Sequence, residues 1–269
     1  METQEDAGDK AQRAVQSVEV GGRLLLALAH RLEPMSLKDL AASAALPPSR
    51  AHPYLVSYGR LGLVHQDTAS GRYALGPAAL QLGLTALHQY DPVRAAGPVA
   101  EALAAETGQA VALAVWGNFG PTVIRMIDAR QPLHVTMRAG TVMSMFDTAT
   151  GRAFAGVLRT ERVADALAGD ALGANSAPAR VSAASLRTKL QPARDELANH
   201  GCARAVGRPI PGVNAFSAPA FGHDGEAALV ITVLGHQDHV PSAWSSPMAV
   251  AVKRAAAEIS TQLGHRPAT

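Results

Sequence analysis

SLKDLAASAALPPSRAHPYLVSYGRLGLVHQDTASGRYALG, Ser36 to Gly76, holds two helix patterns followed by a hairpin pattern. Ser36 precedes Leu37, Leu40, Ala41 and Ala44, and Asp39 stands where a capping box places an acid, so a short helix begins here. After Leu46-Pro47-Pro48, Ser49 is placed to cap a further helix whose apolar face is Ala51, Tyr54, Leu55, Tyr58 and Leu61, ended by Gly62. Leu63 to Gln66 and Arg72 to Leu75 are β-prone and are joined by the turn-rich DTASG. Upstream, Val18, Leu25, Leu28 and Leu32 recur at near-helical spacing, stopped by Pro34. Three helices and a hairpin over residues 15–76 describe an all-α winged helix-turn-helix with a β-hairpin wing.

The flanks differ in kind. Residues 1–14 mix acids with no apolar period and are expected to be a disordered tail. Pro77 opens a leucine-rich linker helix expected over 77–91. Residues 92–267 then alternate helices with apolar strands. Strands are expected at Val111–Trp116, Thr122–Asp128, Leu133–Arg138, Ala203–Val206, Asn214–Phe221 and Ala227–Gly235. Helices are expected at Val93–Thr107, Arg152–Leu158, Glu161–Leu167 and around Leu186–Leu197, with a last one capped by Ser246, started by Pro247 and closed by Gly264. The result is an α+β domain on a six-stranded, mostly antiparallel sheet.

Charge is unevenly spread. The 269 residues carry a net charge of only +2, which excludes a chain that binds nucleic acid by bulk polycationic charge. Yet the 27 residues from Leu40 to Gln66 contain no acid, while Arg50, His52, Arg60 and His65 lie there. At average usage about three acids would be expected in such a window. The gap covers the third helix and first wing strand, which a winged helix-turn-helix presents to a major groove and its phosphates. One cysteine, Cys202, excludes a disulfide framework and reads as a buried structural thiol. His236 and His239 read as a solvated turn, so no metal is expected. No Walker A, G-x-S-x-G, H-E-x-x-H or G-x-G-x-x-G pattern occurs, so neither catalytic residues nor a cofactor are expected. Neither a membrane span nor a secretory signal is read, and the expectation is a soluble cytoplasmic protein.

VQSVE (Val15 to Glu19), the stretch Ser36 to Val64, SGRYALGPAALQLG (Ser70 to Gly83), TATGRAF (Thr148 to Phe154), IPGVNAFSAPAF (Ile210 to Phe221) and the closing IS..LG (Ile259 to Gly264) together resemble, in order and spacing, the IclR family of bacterial transcriptional regulators. The resemblance implies a winged helix-turn-helix, a linker helix and a GAF-like ligand-sensing domain, assembled as a dimer or a dimer of dimers on double-stranded operator DNA. It places DNA-facing positions on Ser49, Arg50, His52, Pro53 and Ser57 of the recognition helix and Arg72 of the wing, with Ser36 at a helix start facing a phosphate. Two departures stand out: Pro53 replaces a basic residue, and Ala45 replaces a glycine at the helix turn, where a left-handed backbone is expected.

DTATGR (Asp147 to Arg152) sets small residues before a helix, where free amides accept a carboxylate. By the resemblance, Ala149 and Thr150 contact an effector, and Met143, Ala215 and Thr232 line its pocket. The apolar character of several such positions implies a larger or more apolar organic acid, with Arg138 and Arg208 as candidate carboxylate partners. The leading expectation is a ligand-responsive regulator that binds a palindromic operator as a dimer. The rivals are a winged helix used for protein contact and, more weakly, an enzyme without recognisable motif.

Overall fold

The structure, a computed structural model, describes residues 14–31, 33–130, 137–170 and 183–266. Two compact units divide between Tyr90 and Asp91. The expected tail lies, apart from Ala14, outside the described residues.

In the first unit, α1 (Gln16–His30), α2 (Leu37–Ser43) and α3 (Pro48–Arg60) precede β1 (Val64–Gln66), β2 (Tyr73–Leu75) and α4 (Pro77–His88). The apolar faces of the three helices meet in one core, with Leu24, Leu40, Ala41 and Ala51 wholly enclosed. β1 and β2 pair antiparallel, His65 opposite Ala74, and Met35 bridges to Tyr73 through two backbone bonds of 2.9 and 2.8 Å. The wing is thereby tied to the segment that enters α2.

The third helix departs from expectation at its start. Ser49 is not its cap: Pro48 takes the first helical position, where a missing N–H costs nothing, and Pro47 precedes it without a side-chain cap. The Ala51 amide already bonds the Pro47 carbonyl, 3.1 Å, so the first intrahelical bond lies upstream of Pro53 and survives. What Pro53 removes is the amide that would have served the Ser49 carbonyl.

Ala45, in the turn between α2 and α3, has φ 53°, and it is the sole non-glycine residue with positive φ among those described. A Cβ there costs roughly 1 kcal/mol or more. Ala45→Gly should therefore stabilise this unit by about 0.5–1 kcal/mol, after glycine's greater freedom in the unfolded chain is subtracted. Thermal unfolding followed by circular dichroism checks it; a lower melting temperature would show that the turn is not strained.

The second unit opens with α5 (Pro92–Thr107), whose cap Asp91 accepts from the amides of Val93 and Arg94 at 3.0 Å each. There follow β3 (Ala110–Gly117), β4 (Gly120–Ile127), α6 (Ala149–Val157), α7 (Thr160–Asp170), α8 (Ala183–His200), β5 (Ala203–Val206), β6 (Val213–Phe221), β7 (Ala227–His236) and α9 (Pro247–Gln262). The sheet is wholly antiparallel in the order β4-β3-β7-β6-β5. It has five strands among the described residues, not six. The expected strand Leu133–Arg138 falls mostly on residues outside those described, and Met137 and Arg138 belong to no strand. Where a sixth strand would pair, Thr141 and Met143 make a few backbone bonds to Val123 and Pro121, and the chain then turns away into α6.

Strand alternation sorts the sheet's two faces. Ala114, Val230 and Ala203 point to the core shared with α6 and α8, where Phe154 is fully enclosed and its ring lies 5.6 Å from that of Trp116. The opposite face packs against α5 and α9. Cys202 is free and fully buried, and burial pushes its thiol pKa up. Among the described residues no helix is long and apolar enough to cross a membrane, and no cluster of metal-ligating side chains occurs.

Candidate functional site

Two places bring the expected residues together, one in each unit. On α3, Ser49, Arg50, His52, Pro53 and Ser57 are all exposed and lie at spacings of one, three and four that keep them on a single face. Arg60, already counted in the acid-free window, shares that face, and so does Val56, which carries no charge to mark it although its position seven residues after Ser49 places it there. Val56 is 42% exposed, an apolar spot amid polar neighbours. Among the described residues no salt bridge engages Arg50 or Arg60. Ser57 is not a free donor: its hydroxyl donates to the Pro53 carbonyl at 3.0 Å.

Two residues expected at the DNA also make hydrogen bonds within their own unit. The Ser36 hydroxyl accepts from the Asp39 amide at 3.2 Å and donates to the Asp39 carboxylate at 2.7 Å. Ser36 is therefore the cap of α2 that the sequence predicts, with the Asp39 carboxylate bonded beside it. Arg72 donates to the Pro34 carbonyl at 3.0 Å, pinning wing to core while staying exposed. At the wing tip, hydrogen bonds from Ser70 hold the Asp67 carboxyl below its usual pKa.

The second place is a cavity of about 50 Å³ at the head of α6. Met143, Ala149, Thr150, Ala215 and Thr232 all line it, together with Met137, Ile210, Val213 and Leu234. α6 begins three residues earlier than expected, at Ala149, with Thr148 as its cap: the Thr148 hydroxyl accepts from Gly151, 2.9 Å, and donates to the Ser144 carbonyl, 2.7 Å. Ala149 and Thr150 are therefore the first two helical residues, whose amides have no partner within the helix. Below them, three buried hydroxyls form a chain: Thr150 Oγ1 lies 2.9 Å from Thr232 Oγ1, which lies 2.7 Å from Ser217 Oγ. Ser217 was missed by sequence reasoning, because a lone serine on a strand gives no sign of which face it occupies.

Arg208 lines the cavity, and Arg138 does not. Arg152, within the same TATGR run, is turned elsewhere. Its guanidinium pairs with Glu196 of α8 at 2.9 and 3.4 Å, and Glu196 also accepts from the Arg204 amide at 2.8 Å. His236 pairs with Asp238 at 3.2 Å in the turn after β7.

A helix-turn-helix with a wing, followed by a unit that encloses a small cavity beside a helix start, defines the architecture of a one-component regulator. Known proteins share it. Residues 17–68 match the IclR helix-turn-helix domain and residues 84–261 match the bacterial transcriptional regulator IclR C-terminal family. The crystal structure of Pseudomonas aeruginosa HmgR aligns with 94% of this chain and 100% of its own, at 32% identity and a TM-score of 0.80. The glycerol operon regulatory protein of Streptomyces coelicolor is 34% identical over 147 residues, which span 50% of this chain and 58% of that relative. The transcriptional repressor IclR of Escherichia coli is 24% identical over 252 residues, 93% of this chain and 90% of its own.

The chain belongs to the IclR family of bacterial transcriptional regulators. It carries the family's helix-turn-helix domain and C-terminal domain, and the Streptomyces and Escherichia relatives are an operon regulatory protein and a transcriptional repressor.

Proposed function

We propose that this chain is a transcriptional repressor that binds a palindromic operator as a dimer, reads it with α3 and the wing, and answers to a small organic acid at the head of α6. The observation that carries the DNA reading is the exposed face of α3, where Arg50 and Arg60 have no ion-pair partner among the described residues and the surrounding window has no acid. Such cations replace counterions along a phosphate backbone, and His52, Val56 and Ser49 reach base edges between them. Self-association draws support from α4, where no residue is buried and Leu80, Leu82, Leu84 and Leu87 are all exposed. Two copies related by a two-fold axis would read half-sites about one helical turn apart.

For the effector, apolar walls select a body and the α6 amides with Arg208 select a carboxylate. The present volume is small beside the ~300–1,000 Å³ of usual ligand sites, so binding an aromatic acid requires the walls to yield. Met137 and Met143 are the pliable side chains there.

A mobility-shift assay with the DNA upstream of the chain's own gene tests the first part. Salt-sensitive, sequence-selective binding, weakened by one member of a panel of aromatic and aliphatic carboxylates, is the expected result; binding to no sequence in preference to random DNA would overturn it. For the pocket, Thr150→Val keeps the shape and removes a hydroxyl. It should weaken binding of the active carboxylate about tenfold by calorimetry, and unchanged affinity would put the ligand elsewhere.

A further inference from the structure

A second and larger cavity, about 580 Å³, lies away from the head of α6, at the other end of that helix. Its origin is topological. β5 pairs with β6 only from Asn214 to Ser217, so the last residues of β6, Ala218 to Phe221, run beside β7 alone. The chain before β5 leaves the sheet at Gly201 and joins α8, and α8 and α9 straddle the space that a longer β5 would have filled. Small side chains keep that space open: Gly156, Ala198, Ala218, Ala256 and Ala257 all line it.

Its charge is one-sided. Among the described residues, Arg194, Lys253 and His265 line the cavity and no acid does. Among those same residues no salt bridge engages Arg194 or Lys253. Arg194 spends one donor on Thr160 Oγ1, 3.0 Å, and keeps the rest of its guanidinium. His265 Nδ1 lies 3.2 Å from the Gly222 carbonyl and donates to it, which leaves Nε2 available. The neighbouring acid Glu196 is already held by Arg152 and the Arg204 amide. The Ser260 hydroxyl is satisfied too, since it donates to the Ala256 carbonyl and accepts from the Phe221 amide.

We infer that this cavity is a second small-molecule site, for an amphipathic carboxylate whose apolar body lies along β6 and whose charge meets Lys253 and Arg194. The volume falls within the ~300–1,000 Å³ of ligand sites, whereas the cavity at the head of α6 does not. An apolar wall with two cations, Arg194 and Lys253, and no acid selects an anion with an attached hydrocarbon over either a neutral lipid or a bare inorganic ion. The nine residues of α6 join the two cavities, so occupancy of one end bears on the helix that heads the other.

Calorimetry on the full chain with octanoate, and with octanamide as its uncharged twin, tests this. Octanoate should bind, and octanamide should bind at least about tenfold more weakly because it forfeits the charge-assisted bonds. Lys253→Gln should weaken octanoate about tenfold. Ala257→Phe, on an exposed position of α9 that lines the cavity, should abolish binding while circular dichroism and melting temperature stay native. Absence of octanoate binding, equal binding of octanamide, or undiminished octanoate binding to a natively folded Ala257→Phe variant would each overturn the inference.

Discussion

Gly151→Ala should cost the second unit about 3 kcal/mol or more, a large share of the 5–15 kcal/mol by which domains are usually stable. A Cβ on Gly151 would lie 2.6 Å from the Met145 carbonyl oxygen and closer still to that of Ser144. Both obstacles are backbone, and neither can swing aside as a side-chain tip would. They belong to a loop already knitted by the Thr148 hydroxyl on the Ser144 carbonyl and by the Ser144 hydroxyl on Asp147, 2.6 Å. Making room means lifting the first turn of α6, which breaks the Thr148 cap and withdraws Phe154 from its enclosed seat. At about 2–4 °C per kcal/mol for a unit of this size, the melting temperature should fall by about 6–12 °C. Gly83→Ala supplies the contrast: nothing lies within 4 Å of its Cβ position on α4, and helix propensity alone should make it neutral or stabilising. A melting temperature for Gly151→Ala within experimental scatter of the parent would show that α6 and the 144–148 loop are not packed as described.

Arg50→Glu should lower operator affinity about a hundredfold, against about tenfold for Arg50→Ala. The alanine variant takes away one cation from a phosphate or a base edge. The glutamate variant also introduces an acid into a window that has none, opposite a polyanion. Because counterion release sets the salt dependence, the slope of log affinity against log salt should flatten by about one unit for each phosphate that is no longer neutralised. Arg50 is exposed and without an ion-pair partner among the described residues, so both variants should melt with the parent. An unchanged operator affinity would remove Arg50 from the interface.

Local chemistry makes much of this legible in the sequence. Ser36, Ser246, Pro247 and Gly264 announce helix ends through local chemistry, and the structure puts helix termini there. The family resemblance, which puts a glycine at the position of Ala45, implies a left-handed backbone there, and the residue has one. The errors come where two local readings compete. Pro47-Pro48-Ser49 allows either a proline start or a serine cap, and the proline prevails. Ala149-Thr150-Gly151 looks like a loop because its residues are small, yet glycine is there because a helix passes close to backbone. What lies beyond reach is chemistry that needs distant partners. The Arg152–Glu196 pair joins residues 44 apart in the chain, the Thr150–Thr232–Ser217 hydroxyls come from one helix and two strands, and the larger cavity is shaped by small residues on four elements. The five positions that the family resemblance assigns to an effector do line one cavity, but its size and the Ser217 below it are not foreseeable from the residues alone.

The bare flank of α4 has a thermodynamic consequence. A twelve-residue helix by itself is marginal in water, and burial of an apolar stripe is what usually makes such a helix persist. α4 buries no residue within its own chain, so little of its free energy of formation comes from intramolecular packing. If copies pair through its leucines, helix formation and assembly become one equilibrium, and the helicity of residues 77–88 rises with protein concentration. Dilution then acts on the connection between the two units as a denaturant would, leaving the core around Leu24 and the sheet around Phe154 untouched.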